Sequence, residues 1–324
     1  MADKKKITIL VPCYNEEAVL KEFYGRVSSV ISDIKSGDFS IFFVNDGSSD
    51  RTLEIMKDLN KKDKRVHYLD LSRNYGKEIA VIAGIDYIDA DAMILIDADL
   101  QDPPELIEKM IEYWQQGYDD IAAKRKSRAG ETFFKKWSSH MYYRILQSVT
   151  RISIQTDVGD FRLLSRQCIE ALKSMREFER YNKGLCSWIG FNKKEILYDR
   201  DARFAGETKW NYFKLFNLAI DGITSFTIVP LRLATIMGLF TALAAVIYMC
   251  VIVIKTILGI GHTVPGYPSL ISAILFIGGV QLFCMGIMGE YIGRIFTESK
   301  GRPLYFAKEM DGKKIIDYTM IKNS

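Results

Sequence analysis

Two aspartates one residue apart, Asp97 and Asp99, close the apolar run Ala92–Ile96. In extended backbone, residues two apart project to the same side, so the two carboxylates converge. Such a pair suits Mg²⁺ or Mn²⁺, which is commonly held by one or two carboxylates together with substrate phosphates. Gln101 can add a neutral oxygen. A diphosphate leaving group calls for a cation of this kind, because departure gathers negative charge on its oxygens. Asp97-Ala98-Asp99 by itself is common in solvated turns; the longer string DADLQDPPE, from Asp97 to Glu105, is far more specific. A second pair, Asp157 and Asp160, lies in a Gly-containing segment that reads as a turn between a helical stretch and an apolar run.

These residues need a scaffold that gathers them. Over the first 125 residues the short apolar runs Ile7–Val11, Ile41–Val44, Val66–Leu71, Ala92–Ile96 and Asp120–Ala123 alternate with stretches of helical period such as Glu16–Ile34 and Pro104–Gln116. That rhythm predicts a parallel-type α/β sheet covered by helices. Ligands of such sheets bind beyond the carboxyl ends of the strands. The residues there are unusually polar: PCYNE at 12–16, NDGS at 45–48, SRN at 72–74 and DAD at 97–99. From Arg125 to about Lys209 the alternation breaks and Arg, Lys and aromatic residues accumulate.

The chain of 324 residues is 48% hydrophobic yet 26% charged. Both hold because the charge is unevenly spread: between positions 233 and 293 only Lys255 and Glu290 carry any. A charged body with an apolar appendix follows, which excludes a wholly soluble protein and a polytopic transporter. Leu233–Ile254 is 22 uncharged residues, enough at about 1.5 Å per residue to cross a hydrocarbon core of about 30 Å. A second span runs from about Leu270 to Ile292, and the short Pro/Gly-containing link between them makes a hairpin. Trp210–Pro230 is amphipathic and aromatic, as a helix lying on a membrane surface would be. The expected organisation is therefore a body over 1–209, a juxtamembrane segment over 210–231, two spans over 232–296 and a cytosolic tail over 297–324.

Arg232, Arg294, Lys300, Arg302 and Lys308 flank the spans against only Lys255 in the link. The positive-inside rule then places the body and both termini in the cytoplasm, at the cell membrane. The first residues contain too short an apolar run for a signal peptide. Glu290, four residues before Arg294, should form an ion pair. Gly289 and Gly293 allow close helix packing. The five cysteines, without Cys-x-x-Cys or a nearby histidine pair, read as small buried hydrophobes in a reducing compartment. A net charge of +4, scattered along the chain, argues against a nucleic-acid partner.

The segments ILVPCYNEE, VNDGSSDRT, LSRNYGKEIAVIAGID, IDADLQDPPE, TDVGDFRLLSR and RFAGETKWNYFKLFNLAIDGI together resemble family 2 glycosyltransferases of the GT-A fold, the nucleotide-diphospho-sugar transferase architecture. They are most similar to the polyprenyl-phosphate branch, which includes dolichyl-phosphate mannose synthases and bactoprenol glucosyltransferases. The resemblance implies a nucleotide sugar on Pro12, Tyr14, Glu16, Asp46, Asp97 and Ala98, and a metal on Asp97, Asp99 and Gln101. Tyr14 offers an aromatic face for a base, and Glu16 and Asp46 can accept hydrogen bonds from ribose or the base edge. Asp157 is the expected base of an inverting displacement, with Asp99 beside it in the catalytic set. A phosphate monoester is already largely dianionic at neutral pH, so Asp157 alternatively orients the acceptor phosphate, and Asp160 is alternatively a turn-former. Arg125, Arg128, Arg162 and Arg203 are the candidates to grip phosphate through a planar fork. Lys77 and Glu78 either serve the sugar nucleotide or pair at a helix start.

The reaction so implied moves one hexose, glucose before N-acetylglucosamine or mannose, from a uridine-type nucleotide sugar to polyprenyl phosphate at the bilayer. The resemblance also suggests a homo-oligomer, a tetramer in the family. A processive polysaccharide synthase would carry more spans and a Gln-x-x-Arg-Trp motif. A flippase would need a polar path through the membrane, and the intact Asp97/Asp99 pair speaks against a non-catalytic scaffold. A dehydrogenase would carry Gly-x-Gly-x-x-Gly after its first strand.

Overall fold

The computed structural model describes residues 4–125, 158–178, 180–199, 229–258 and 266–315. They divide into two units, one spanning Met1–Trp210 with Arg302–Ser324 and the other Asn211–Gly301.

In the first unit the expected runs become β1 (Lys5–Cys13), β2 (Gly37–Asn45), β3 (Val66–Leu71), β4 (Ala92–Leu95) and β5 (Asp120–Arg125). The helices between them are α1 (Leu20–Asp33), α2 (Thr52–Lys62), α3 (Lys77–Tyr87) and α4 (Leu106–Gln115). After them come β6 (Val158–Ser165), α5 (Arg166–Ser174), α6 (Asn182–Trp188) and β7 (Lys193–Tyr198). Last, beyond the apolar segment, come β8 (Ala307–Met310) and β9 (Lys313–Lys314). One nine-stranded sheet results, in the order β7-β5-β6-β4-β1-β2-β3-β8-β9.

Strands β4, β1, β2 and β3 are parallel, as expected. The sheet is mixed, however, because β6 runs antiparallel to both β4 and β5 and β8 runs antiparallel to β3. Two expectations change here. The segment holding Gly159 and Asp160 is strand, not turn; apart from Asp160 every residue of β6 is buried, and residues 162–164 pair with a strand on either side. The C-terminal segment is not a free tail: residues 307–314 form a hairpin on the β3 edge of the sheet.

Alternation along the strands builds two cores. On one face Ile7, Ile9, Val11, Ile41 and Phe43 meet Phe23 and Val27 of α1, Met56 of α2 and Ile107 and Met110 of α4. Each such buried side chain contributes about 1.5–3 kcal/mol. On the other face lies α3, whose Gly84 sits so close to β1 that a Cβ there would be 2.3 Å from Leu10 Cδ1. Cys13, Cys168 and Cys186 are buried and every cysteine is a free thiol. Burial pushes the Cys168 thiol up to about 12 and Cys186 up to about 11, as expected of inert hydrophobes.

The second unit consists of α7 (Val229–Ile257) and α8 (Tyr267–Ser299). The 29 residues of α7 reach about 43 Å, and both helices are long and apolar enough to cross a membrane. The Cys284 thiol of α8 lies 3.6 Å from the Ala234 carbonyl of α7. Glu290 pairs with Arg294 at 3.0 Å, as the spacing predicts. The amphipathic reading of 210–231 falls mostly on 210–228, outside the described residues.

Candidate active site

From β1 the chain proceeds outward through β2 to β3 and then returns to place β4 on the other side of β1. The carboxyl ends of β1 and β4 therefore flank a topological switch point, where adjacent connections part and leave a crevice. Tyr14 follows β1 there with a half-exposed ring, and Asp97-Ala98-Asp99 follows β4 with Ala98 buried. Pro12 closes β1 opposite Val44 of β2.

The connections at this edge are laced to one another. Asn15, in the left-handed region at φ 56, accepts from the Ser49 N–H at 2.8 Å and donates its own N–H to Ser48 Oγ at 3.0 Å. The Glu16 N–H donates to Thr52 Oγ1 at 2.8 Å. Gly47 has φ +64, and a Cβ there would lie 2.4 Å from the Arg73 carbonyl carbon, so only glycine lets the β2–α2 connection pass the β3–α3 one.

Asp46 is 3% exposed, and its two oxygens accept the backbone N–H groups of Tyr75 at 2.7 Å and Gly76 at 2.9 Å. Burial raises its pKa although those N–H groups and Arg73 pull the other way. Asp46 thus clamps the turn that starts α3, a role beyond the ribose contact implied by resemblance.

The loop after β4 is pinned at several points. The Gln101 N–H donates to Asp99 Oδ1 at 3.1 Å. Leu100 is buried at φ 58, a strained conformation for a branched residue that persists only where surroundings enforce it. Buried Asp102 accepts from the Tyr198 hydroxyl of β7, and Glu105 accepts from Nε and Nη2 of Arg26 of α1, each at 2.9 Å. Held this way, Gln101 Oε1 is buried with no hydrogen-bond partner. An orphaned amide oxygen in the same short loop as two carboxylates supplies the donor types of a hard divalent cation. Asp97, Asp99 and Gln101 therefore fit the metal that the sequence implies.

Lys77 opens α3 after Gly76 and reaches across to this loop. Its Nζ lies 2.5 Å from Asp97 Oδ1 and 2.5 Å from Asp160 Oδ2 on β6. Lys183 adds a second ammonium 3.5 Å from Asp160 Oδ1. Desolvation opposes both charges of the pair, but mutual attraction outweighs it: Lys77 is raised above the ordinary lysine range and Asp160 falls far below the usual carboxylate range. Asp160 thus serves as the shared anion that anchors both lysines. Glu78 accepts the Asn182 N–H at 2.9 Å and ties α3 to α6. The sequence left Lys77 undecided and missed Lys183; the signal for Lys77 was its position at the helix start that follows the β3 strand-end segment.

Arg162 departs from its expected role. It is 3% exposed on β6, with Nη1 3.2 Å from Asp120 Oδ2, itself 1% exposed. Its guanidinium is spent on a buried ion pair between strands rather than presented to phosphate. Arg125 ends β5 opposite Tyr198, whereas Arg128, Asp157 and Arg203 lie outside the described residues.

Comparison with known proteins agrees with this architecture. The model of glycosyl transferase family 2 matches residues 8–173, and that of the GtrB C-terminal hairpin matches residues 229–295. The chain belongs to glycosyl transferase family 2, and its mixed sheet is a GT-A-type fold followed by an apolar helical hairpin. Its relatives include an uncharacterized glycosyltransferase, sll0501, of Synechocystis, 45% identical over 95% of this chain and 96% of that one. The prophage bactoprenol glucosyl transferase homolog of Escherichia coli is 43% identical over 94% of this chain and 99% of that one. Among solved structures, glucosyl-3-phosphoglycerate synthase of Mycobacterium tuberculosis, in complex with Mn²⁺, UDP-glucose and phosphoglyceric acid, aligns with a TM-score of 0.45 and 14% identity over 68% of this chain and 78% of that one.

Proposed function

We propose that the protein transfers a single glucose from a uridine diphosphate sugar to the phosphate of a polyprenyl carrier at the cytoplasmic face of the membrane. The observation that carries this reading is the set Asp97, Asp99 and orphaned Gln101 Oε1 at the switch point, in a chain that continues into an apolar hairpin. Near-full-length relatives named bactoprenol glucosyl transferases support the sugar and the acceptor.

In the reaction an acceptor phosphate oxygen bonds to the anomeric carbon as the bond to the diphosphate oxygen breaks on the opposite face, inverting the centre. Tyr14 stacks on the base, while Asp46 fixes the turn beside it. Asp97, Asp99 and Gln101 would hold Mg²⁺ or Mn²⁺, which would neutralise charge gathering on the departing diphosphate. Because the acceptor is already largely dianionic at neutral pH, the demand is for orientation and charge balance more than for proton removal. Asp157 remains the candidate base or acceptor-orienting carboxylate, and Arg125, Arg128 and Arg203 the candidate phosphate ligands.

Topology is supported by connectivity. The chain leaves the catalytic body, makes two apolar helices and returns to it as β8 and β9, which supports the reading that both ends of the hairpin lie in one compartment. The basic residues flanking the spans support the reading that this compartment is the cytoplasm. A homo-oligomer fits the resemblance.

Purified protein given a panel of nucleotide sugars, Mg²⁺ or Mn²⁺ and undecaprenyl phosphate should yield a monophosphate-linked lipid glucose. Elongation of a polysaccharide in place of that product would overturn the proposal.

A further inference from the structure

We propose that Lys77 is an exchangeable counter-cation of the donor site: its ammonium neutralises Asp97 while the site is empty and leaves that carboxylate when a divalent cation arrives with the nucleotide diphosphate. The inference rests on the metal assignment above and goes beyond it to the order in which ligands bind.

Lys77 Nζ lies 2.5 Å from one Asp97 oxygen and 2.7 Å from the other, so it spans both faces a metal would use. A divalent ion bonds such oxygens at about 2.0–2.1 Å, so an ammonium that holds both of them must give up at least one, and repulsion between the two cations favours its leaving altogether. The lysine has somewhere to go. Its side chain is 39% exposed, and Nζ already contacts Asp160 Oδ2 at 2.5 Å. Asp160 is fixed on β6, an internal strand, and stays put when the contact to Asp97 opens. The backbone of Lys77 is equally fixed, because Asp46 clamps the Gly76 N–H and Glu78 binds α6. Exchange thus needs only rotation of a flexible side chain between two rigid carboxylates.

Charge balance sets the consequence. In the empty site the Lys77 ammonium bridges Asp97 and Asp160, and Lys183 also contacts Asp160. A metal alone arrives beside that ammonium at Asp97, and the like charges repel. A metal with a diphosphate brings its own compensation. Metal and nucleotide therefore bind with positive coupling, each raising the affinity of the other by the same factor. Gln101 Oε1, buried and without a partner, waits for the cation that Lys77 cannot supply there.

The test is Mn²⁺ titration of the full-length protein in nanodiscs, read by loss of the free-ion EPR signal, with and without UDP. Wild type should bind Mn²⁺ weakly alone and at least about tenfold more tightly with UDP, a gain of about 1.4 kcal/mol. Lys77→Met, which keeps the chain length and loses the charge, should bind Mn²⁺ alone about tenfold more tightly than wild type. Lys77→Arg should behave as wild type. Lys77→Gln gives the same reading where the methionine variant is unstable. If Lys77→Met and wild type bind Mn²⁺ equally without UDP while both bind it with UDP, the exchange is wrong and the donor site stands. If neither binds Mn²⁺ even with UDP, the metal assignment fails and the exchange with it.

Discussion

Replacing Asp120 with asparagine keeps the shape of the side chain and removes the charge that faces Arg162. The two groups are 3.2 Å apart and almost wholly buried, at 1% and 3% exposure. At an effective dielectric of about 20 their attraction is roughly 5 kcal/mol, and measured losses on breaking buried pairs run to about 3–5 kcal/mol. The amide oxygen of asparagine can still accept a hydrogen bond, so about 3 kcal/mol is the expected loss. For a body of this size that corresponds to a fall in Tm of about 6–12 °C, read by thermal unfolding in detergent. The double variant Asp120→Leu/Arg162→Met should recover most of the loss, since apolar residues of similar volume replace buried pairs at little cost. It should also keep the wild-type KM for the lipid acceptor. Melting of Asp120→Asn within about 2 °C of wild type would refute the buried-pair reasoning. A stable double variant with a greatly raised acceptor KM would return Arg162 to the phosphate site.

Other perturbations read other parts of the structure. Asp99→Ala should abolish turnover while leaving the melting temperature nearly unchanged, because Asp99 is a partly exposed loop residue; metal-dependent activity in the variant would remove the assignment. Gly47→Ala puts a side chain at φ +64 and a Cβ 2.4 Å from the Arg73 backbone, so a loss of about 1–3 kcal/mol and a raised donor KM are expected in steady-state kinetics. Tyr305→Phe removes a hydroxyl that donates to Asp86 at 2.8 Å from a fully buried ring. Asp86 keeps Arg176 at 2.9 Å, so the cost by thermal unfolding should be only about 1 kcal/mol. His67 Nδ1 lies 2.7 Å from Asp311 Oδ2, and that hydrogen bond raises its pKa above 6.5 against the opposing effect of burial. Its contribution is complete below about 6.5 and is lost as pH rises through the raised value. Hydrogen exchange at residues 307–314, corrected for intrinsic rates, should accelerate as pH rises above about 6.5 in wild type and not in His67→Gln.

Much of the fold was legible because its signals are local. The five strand runs and the two spans follow from apolar periodicity and length, and Val66–Leu71 matches its strand end to end. The carboxylate pair was legible for the same reason: strand, turn and both aspartates lie within eight residues. The parts misread are those whose meaning depends on neighbours far along the chain. Gly159 and Asp160 have turn-forming types, yet β6 runs through them to pair with β5 at Val158 and with both β4 and β5 from Arg162 on. Residues after Gly301 look like a polar tail, yet Tyr305 is fully buried and β8 completes the open edge of β3.

The sequence by itself determined the parallel core, the apolar hairpin, the family and the Asp97/Asp99/Gln101 string, because each is written in consecutive residues or in ordered motifs. Only the tertiary structure decided which cation serves which anion. Lys77 meets Asp97 and Asp160 from 20 and 83 residues away, and Arg162 meets Asp120 from 42. Charge partners are chosen by the three-dimensional order of the strands, and an arginine in a motif looks the same in sequence whether it faces a phosphate or a buried carboxylate.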